Sequence, residues 1–133
     1  MKKIAAAAIA GLIVLTPAAT ASAAMETSAS QVAHPAAAAG ALTQARRMAK
    51  TYLSVSAFSR TGLIEQLVFE GFSKRQATRA VDSITVSWRK QAAATAKAYL
   101  DLTAFSRSGL IEQLMFDGYT KSQAKYGVRS VGL

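Results

Sequence analysis

The 133 residues suffice for one ordinary domain or two very small ones, and 16 Lys and Arg against 7 Asp and Glu give a formal net charge of +9. There is no cysteine, which excludes a disulfide-built fold and any thiol nucleophile. The one histidine, His34, has no neighbouring ligands to complete a metal site.

Met1-Lys2-Lys3 is a charged start, Ile4 to Leu15 is an unbroken apolar run, and Pro17 interrupts it. Small residues at Ala21 and Ala23 then complete the pattern of a secretory signal peptide spanning 1–23, with cleavage after Ala23. An uncleaved membrane anchor is the competing reading, although the apolar run is short against the roughly 20 residues that a helical span needs. Removal of Lys2 and Lys3 leaves 14 Lys and Arg against 7 Asp and Glu, a net of +7. Outside the cell such a charge is expected to meet anionic lipid, wall polymer or another protein rather than nucleic acid.

Residues 24–41 are rich in Ala and Ser and have no apolar stripe to bury, so they are expected to form a flexible tether. From Leu42 onward the chain repeats itself with a period of 47: "FSRTGLIEQLVFEGF" (58–72) returns as "FSRSGLIEQLMFDGY" (105–119). Two modules follow, over 42–86 and 87–133.

Each module reads as three helices. Leu42, Ala45, Ala49, Tyr52 and Leu53 share one face of a first helix over about 42–56. Ser59 caps a second, with Phe58 and Leu63 placed as a hydrophobic staple and Gly71 placed to end it in the left-handed conformation. Ser73 and Gln76 form a capping box for a third, with Ala77, Ala80, Val81 and Ile84 facing inward; β-branched Ile84-Thr85-Val86 stop it. Ser106, Gly118 and the pair Thr120/Gln123 repeat these signals, and Ser87 caps the first helix of the second module. The fold class is therefore all-α, two tandem three-helix, helix-turn-helix-like modules. Trp88, at the junction, either packs between modules or is exposed for binding.

Leu63, Ile64 and Leu67 form the inner stripe of the second helix, and at about 100° per residue Gly62, Glu65, Gln66 and Phe69 lie off it. Glu112, Gln113 and Phe116 repeat the pattern. An aromatic ring off the stripe beside a carboxylate and an amide suits an interaction surface, or else a helix buried on two sides. Arg60 and Arg107 sit unfavourably against the positive end of a helix dipole, which calls for an internal carboxylate, an aromatic face or an acidic partner. The candidate binding residues are thus Arg60, Glu65, Gln66, Phe69, Arg107, Glu112, Gln113 and Phe116. The copies differ most on the outer side of the third helix, where Arg75, Thr78, Arg79 and Asp82 become Ser122, Lys125, Tyr126 and Arg129. If the modules bind different things, that surface is where they differ. No constellation of nucleophile and base, no phosphate-cradling loop and no ligand cluster appears, so no enzymatic activity, small-molecule substrate, cofactor or metal is expected.

The stretch "AKTYLSVSAFSRTGLIEQLVFEGFSKRQATRAVD", its second copy "AKAYLDLTAFSRSGLIEQLMFDGYTKSQAKYGV" and the Val86-x-Trp88 junction resemble the Ltp family of host-cell-surface-exposed lipoproteins. The resemblance covers essentially Leu42 to Leu133. It implies tandem helix-turn-helix-type modules held outside the cytoplasmic membrane and, for prophage-encoded members, superinfection exclusion: blocking injection of an incoming phage's DNA, with the phage tape measure protein as the implied target. The chain departs from the family pattern at Ala21-Ser22-Ala23-Ala24, where no cysteine is available for lipid attachment. Secretion, or surface retention through charge or an uncleaved signal, is expected instead. The competing expectation is a basic, envelope-associated structural protein that binds anionic lipid or wall polymer.

Overall fold

The computed structural model describes residues 35–133; the expected signal peptide and the first part of the tether lie outside the described residues. Six α-helices follow in chain order: α1 (Pro35–Val55), α2 (Arg60–Phe69), α3 (Lys74–Asp82), α4 (Trp88–Leu102), α5 (Arg107–Phe116) and α6 (Lys121–Ser130). None of these is long and apolar enough to cross a membrane.

Local chemistry sets their ends. The Ser59 and Ser106 hydroxyls accept from the amides of Gly62 (2.9 Å) and Gly109 (3.0 Å). Ser73 with Gln76, and Thr120 with Gln123, close reciprocal capping boxes. At the other end of α2, Gly71 adopts φ +99°, letting Phe72 N–H reach Leu67 O (3.1 Å) and Gly71 N–H reach Val68 O (3.0 Å). These are the two bonds of a Schellman turn, and Gly118 with Tyr119 repeats them after α5.

The tether is corrected at one point. α1 begins at Pro35 rather than at 42, so residues 35–41 belong to a helix. Proline is suited to the first helical position, and the alanines that follow extend a helix already nucleated by the buried part of α1 without needing a buried face of their own. Residues 36–40 are accordingly exposed.

Each module closes around a separate core. Leu63, Ile64 and Leu67 of α2 meet Ala45 and Ala49 of α1 and Ala77, Ala80 and Val81 of α3. Leu110 and Leu114 of α5 meet Ala92, Ala96, Ala124, Val128 and Tyr119 in the second. The α4–α6 crossing is especially close: a Cβ added to Gly127 would lie 2.7 Å from the carbonyl carbon and oxygen of Ala92.

Few contacts join the two modules. Trp88, although the first residue of α4, packs on the first core. Phe58 N–H donates to Gln91 Oε1 (3.2 Å), and the Ser59 hydroxyl donates to the carbonyl of Asp117. Gly118 makes this approach possible, since a Cβ there would meet Ser59 Oγ at 2.8 Å and Thr61 Cβ at 3.0 Å.

Candidate functional site

The second helix of each module carries the candidate residues, and its two sides have separate fates. Gln66 turns inward: its amide donates to the Tyr52 hydroxyl (3.2 Å) and to Glu70 (3.3 Å), while that hydroxyl donates to Glu70. Tyr99, Gln113 and Asp117 repeat the triangle, with Tyr99 Oη donating to Asp117 Oδ2 (2.8 Å) and Gln113 Nε2 donating to Asp117 Oδ1 (3.2 Å). Phe58 and Phe105 back these tyrosines edge-on, with ring centroids 5.7 and 5.5 Å apart.

The second triangle is the more enclosed. Burial, then the hydrogen bond to Asp117, pushes the Tyr99 phenol up to about 12. Burial also holds the Asp117 carboxyl above its ordinary range, against the lowering effect of its hydrogen bonds. In the first triangle Glu70 is exposed, and its hydrogen bond is the main cause of the rise at Tyr52. Both glutamine side chains are thus held within their own modules.

With Gln66 drawn inward, the outer stripe of α2 consists of Thr61, Glu65, Val68 and Phe69, all exposed. Phe69 is 85% exposed, so it is not buried against the neighbouring module. On α5 the stripe is Ser108, Glu112, Met115 and Phe116, again with the phenylalanine 85% exposed. Val55 and Leu102, at equivalent places near the ends of α1 and α4, are exposed apolar side chains that the sequence reading did not single out. Their signal was present: both copies keep an aliphatic residue three positions after the stacked tyrosine, off the inner stripe.

The two arginines also diverge. Arg60 grips Asp82 bidentately, Nε to Oδ1 at 2.7 Å and Nη2 to Oδ2 at 2.8 Å, and this bond holds the Asp82 carboxyl below its ordinary range. The counterpart of Asp82 is Arg129, so Arg107 has no such partner and stays exposed. Among the described residues no three His, Cys, Asp or Glu side chains converge on a point. The depression lined by Lys50, Leu53, Ser54 and Ser83–Val86 is open to solvent.

The sequence model of the family described as host cell surface-exposed lipoprotein matches residues 42–84 and 87–131, one segment per module. The chain belongs to this family. The solved structure of Ltp, a superinfection exclusion protein from the Streptococcus thermophilus temperate phage TP-J34, is similar in fold. The two are 33% identical, the alignment covers 70% of this chain and 95% of Ltp, and the TM-score is 0.63. No curated protein matches. The family likeness extends over both modules, including the repeated α2 and α5 line and the capping residues around it. The family description also names a lipoprotein, whereas no cysteine occurs among these 133 residues to carry a thioether-linked lipid.

Proposed function

We propose that this protein is a non-enzymatic binding protein of the cell envelope that prevents entry of DNA from an incoming phage by gripping a phage protein. The phage tape measure protein is the proposed target. The observation that carries the reading is the pair of exposed phenylalanines. Phe69 and Phe116 are each 85% exposed, stand at the same place in both modules, and are flanked by Val68 or Met115 and by Glu65 or Glu112. Exposed rings held on short rigid helices are suited to act as binding anchors, because little side-chain freedom is lost on contact. Family membership and the likeness to a superinfection exclusion protein support the biological setting.

The test is a plaque assay on cells expressing the protein, paired with measurements of phage adsorption and DNA entry across a varied phage panel. Unchanged adsorption with lost DNA entry is expected, and the double variant Phe69→Ala/Phe116→Ala should restore entry. Unaltered infection across the panel would refute the proposal. The basic balance, 14 Lys and Arg against 7 Asp and Glu beyond residue 23, favours a second reading, electrostatic attachment to an anionic envelope surface. Release of the protein from cells by moderate salt would separate that attachment from a specific protein contact.

A further inference from the structure

The repeat supplies an internal comparison that assigns a second surface. Arg60 at the start of α2 is neutralised by Asp82 at the end of α3. In the second module Arg107 begins α5, from a cap serine whose backbone matches that of Ser59, and Arg129 stands in the last turn of α6 where Asp82 stood. Along the same stripe Thr78 is replaced by Lys125, while Lys74 and Lys121 are both lysine. Arg107, Lys121, Lys125 and Arg129 carry four positive charges where their first-module counterparts leave a net of one.

All four are exposed, and among the described residues none of them pairs with a carboxylate. Lys121, Lys125 and Arg129 follow one another at the spacing that places side chains on one helix face, where like charges repel. Arg107 meets the positive end of α5 without the carboxylate that relieves Arg60. Tyr126 stands where the first module has Arg79, and Arg89 of α4 lies over its ring, 5.8 Å from the centroid, restoring beside α6 the cation that Arg79 supplies on α3. The unrelieved charge belongs to the second module, on a surface that the first module uses to hold a carboxylate internally.

We propose that the outer face of α6, with Arg107 of α5, is a docking site for an acidic protein segment whose carboxylates recur about one helical turn apart. The first module shows the bond: a guanidinium at this position takes a carboxylate through both of its nitrogens, at 2.7 and 2.8 Å. The lysines one and two turns along α6 match further carboxylates at i+4 and i+8 of a facing helix. Specificity resides in the second module, because Asp82 fills the equivalent place in the first. The surface is distinct from the phenylalanine faces and does not depend on their role.

The experiment is calorimetric titration of the purified protein at low salt with a synthetic helical peptide bearing Glu at every fourth position. One peptide is expected to bind per chain. Arg129→Asp rebuilds the first module's ion pair and should weaken binding roughly tenfold while helix content by circular dichroism is unchanged. Thr78→Lys with Asp82→Arg should give the first module the same site and raise the stoichiometry to two. Lys125→Gln, an exposed single change, reports on the same stripe if Arg129→Asp unfolds the module, and it too should weaken binding. Peptide affinity unaffected by Lys125→Gln and Arg129→Asp overturns the proposal. So does tighter binding to polyphosphate, or to vesicles containing anionic lipid, than to the peptide, because the occupant would then be a phosphate polymer or a membrane. Phage infection is not the readout, so this site and the proposed function fail separately.

Discussion

Gly127→Ala tests the close α4–α6 crossing directly. The added Cβ would sit 2.7 Å from the carbonyl carbon and oxygen of Ala92 and 3.0 Å from the amide nitrogen of Ala93. Ordinary carbon contacts lie at about 3.5–4.0 Å, so α6 must withdraw by roughly 1 Å. The obstructing atoms are backbone, so no rotamer change relieves the clash. Ala124 and Val128, on the same face of α6 and fully buried, are carried away with it. Overpacking of this kind costs about 1–3 kcal/mol, and alanine returns about 1 kcal/mol of helix propensity. With backbone on the far side the cost falls in the upper part of that range, leaving a net loss of about 1–2 kcal/mol. For a unit of this size that lowers the midpoint of thermal unfolding by about 10 °C. Gly40→Ala is the matched control, since nothing lies within 4 Å of its added Cβ and only the propensity gain remains. Calorimetric unfolding of both variants gives the comparison. A Gly127→Ala midpoint equal to or above that of the parent would refute the tight crossing.

Other expectations follow from side chains already placed. Phe69→Ala and Phe116→Ala should each change stability by no more than about 0.5 kcal/mol by chemical denaturation, as exposed sites do, whereas a core phenylalanine would lose about 3–5 kcal/mol. Ser106→Ala should cost about 1 kcal/mol for a lost cap, while Ser59→Ala should cost about 1 kcal/mol more, because it also removes the donor to the Asp117 carbonyl. The Asp82 carboxyl is held below its unfolded value, so the stability it contributes is present above that value and is lost as pH falls through its lowered folded pKa. Both partners are about half exposed, limiting the effect to about 0.5 kcal/mol; Asp82→Asn should remove this part of the acid dependence in unfolding curves taken from pH 7 downward.

Helix ends were legible in the sequence because capping is local chemistry. Ser59, Gly71 and the Ser73/Gln76 pair need only their own backbone neighbours to act, and each acts as its residue type dictates. The inner stripes were legible for a similar reason, since periodicity reports one buried face. It does not report whether the opposite face is covered. Gln66 and Phe69 therefore looked alike from the sequence, yet the Tyr52 hydroxyl draws one inward and the other stays in solvent. Residues 35–41 escape this pattern because an alanine-rich stretch has no stripe to reveal its helix. The Gly127 contact depends on two helices approaching through small residues at positions far apart in sequence, and no local pattern marks it. The fate of Arg60 was open among three partners, and the exchange of Asp82 for Arg129 between copies was the clue to its difference from Arg107.

The serine that caps α2 leaves the two halves unequally independent. Ser59 is only 3% exposed and donates to a carbonyl that the second half supplies, and Trp88, also from the second half, covers the first core. Cut between the halves, the first would lose a roof and an acceptor for a buried hydroxyl, while the second has its equivalent serine in solvent and surrenders little. Synthesis runs the other way, since the ribosome delivers the dependent half before the one it leans on. The earlier-made half thus reaches its final form only after the later one has arrived, and a protein copied from a duplicated unit has become an ordered pair.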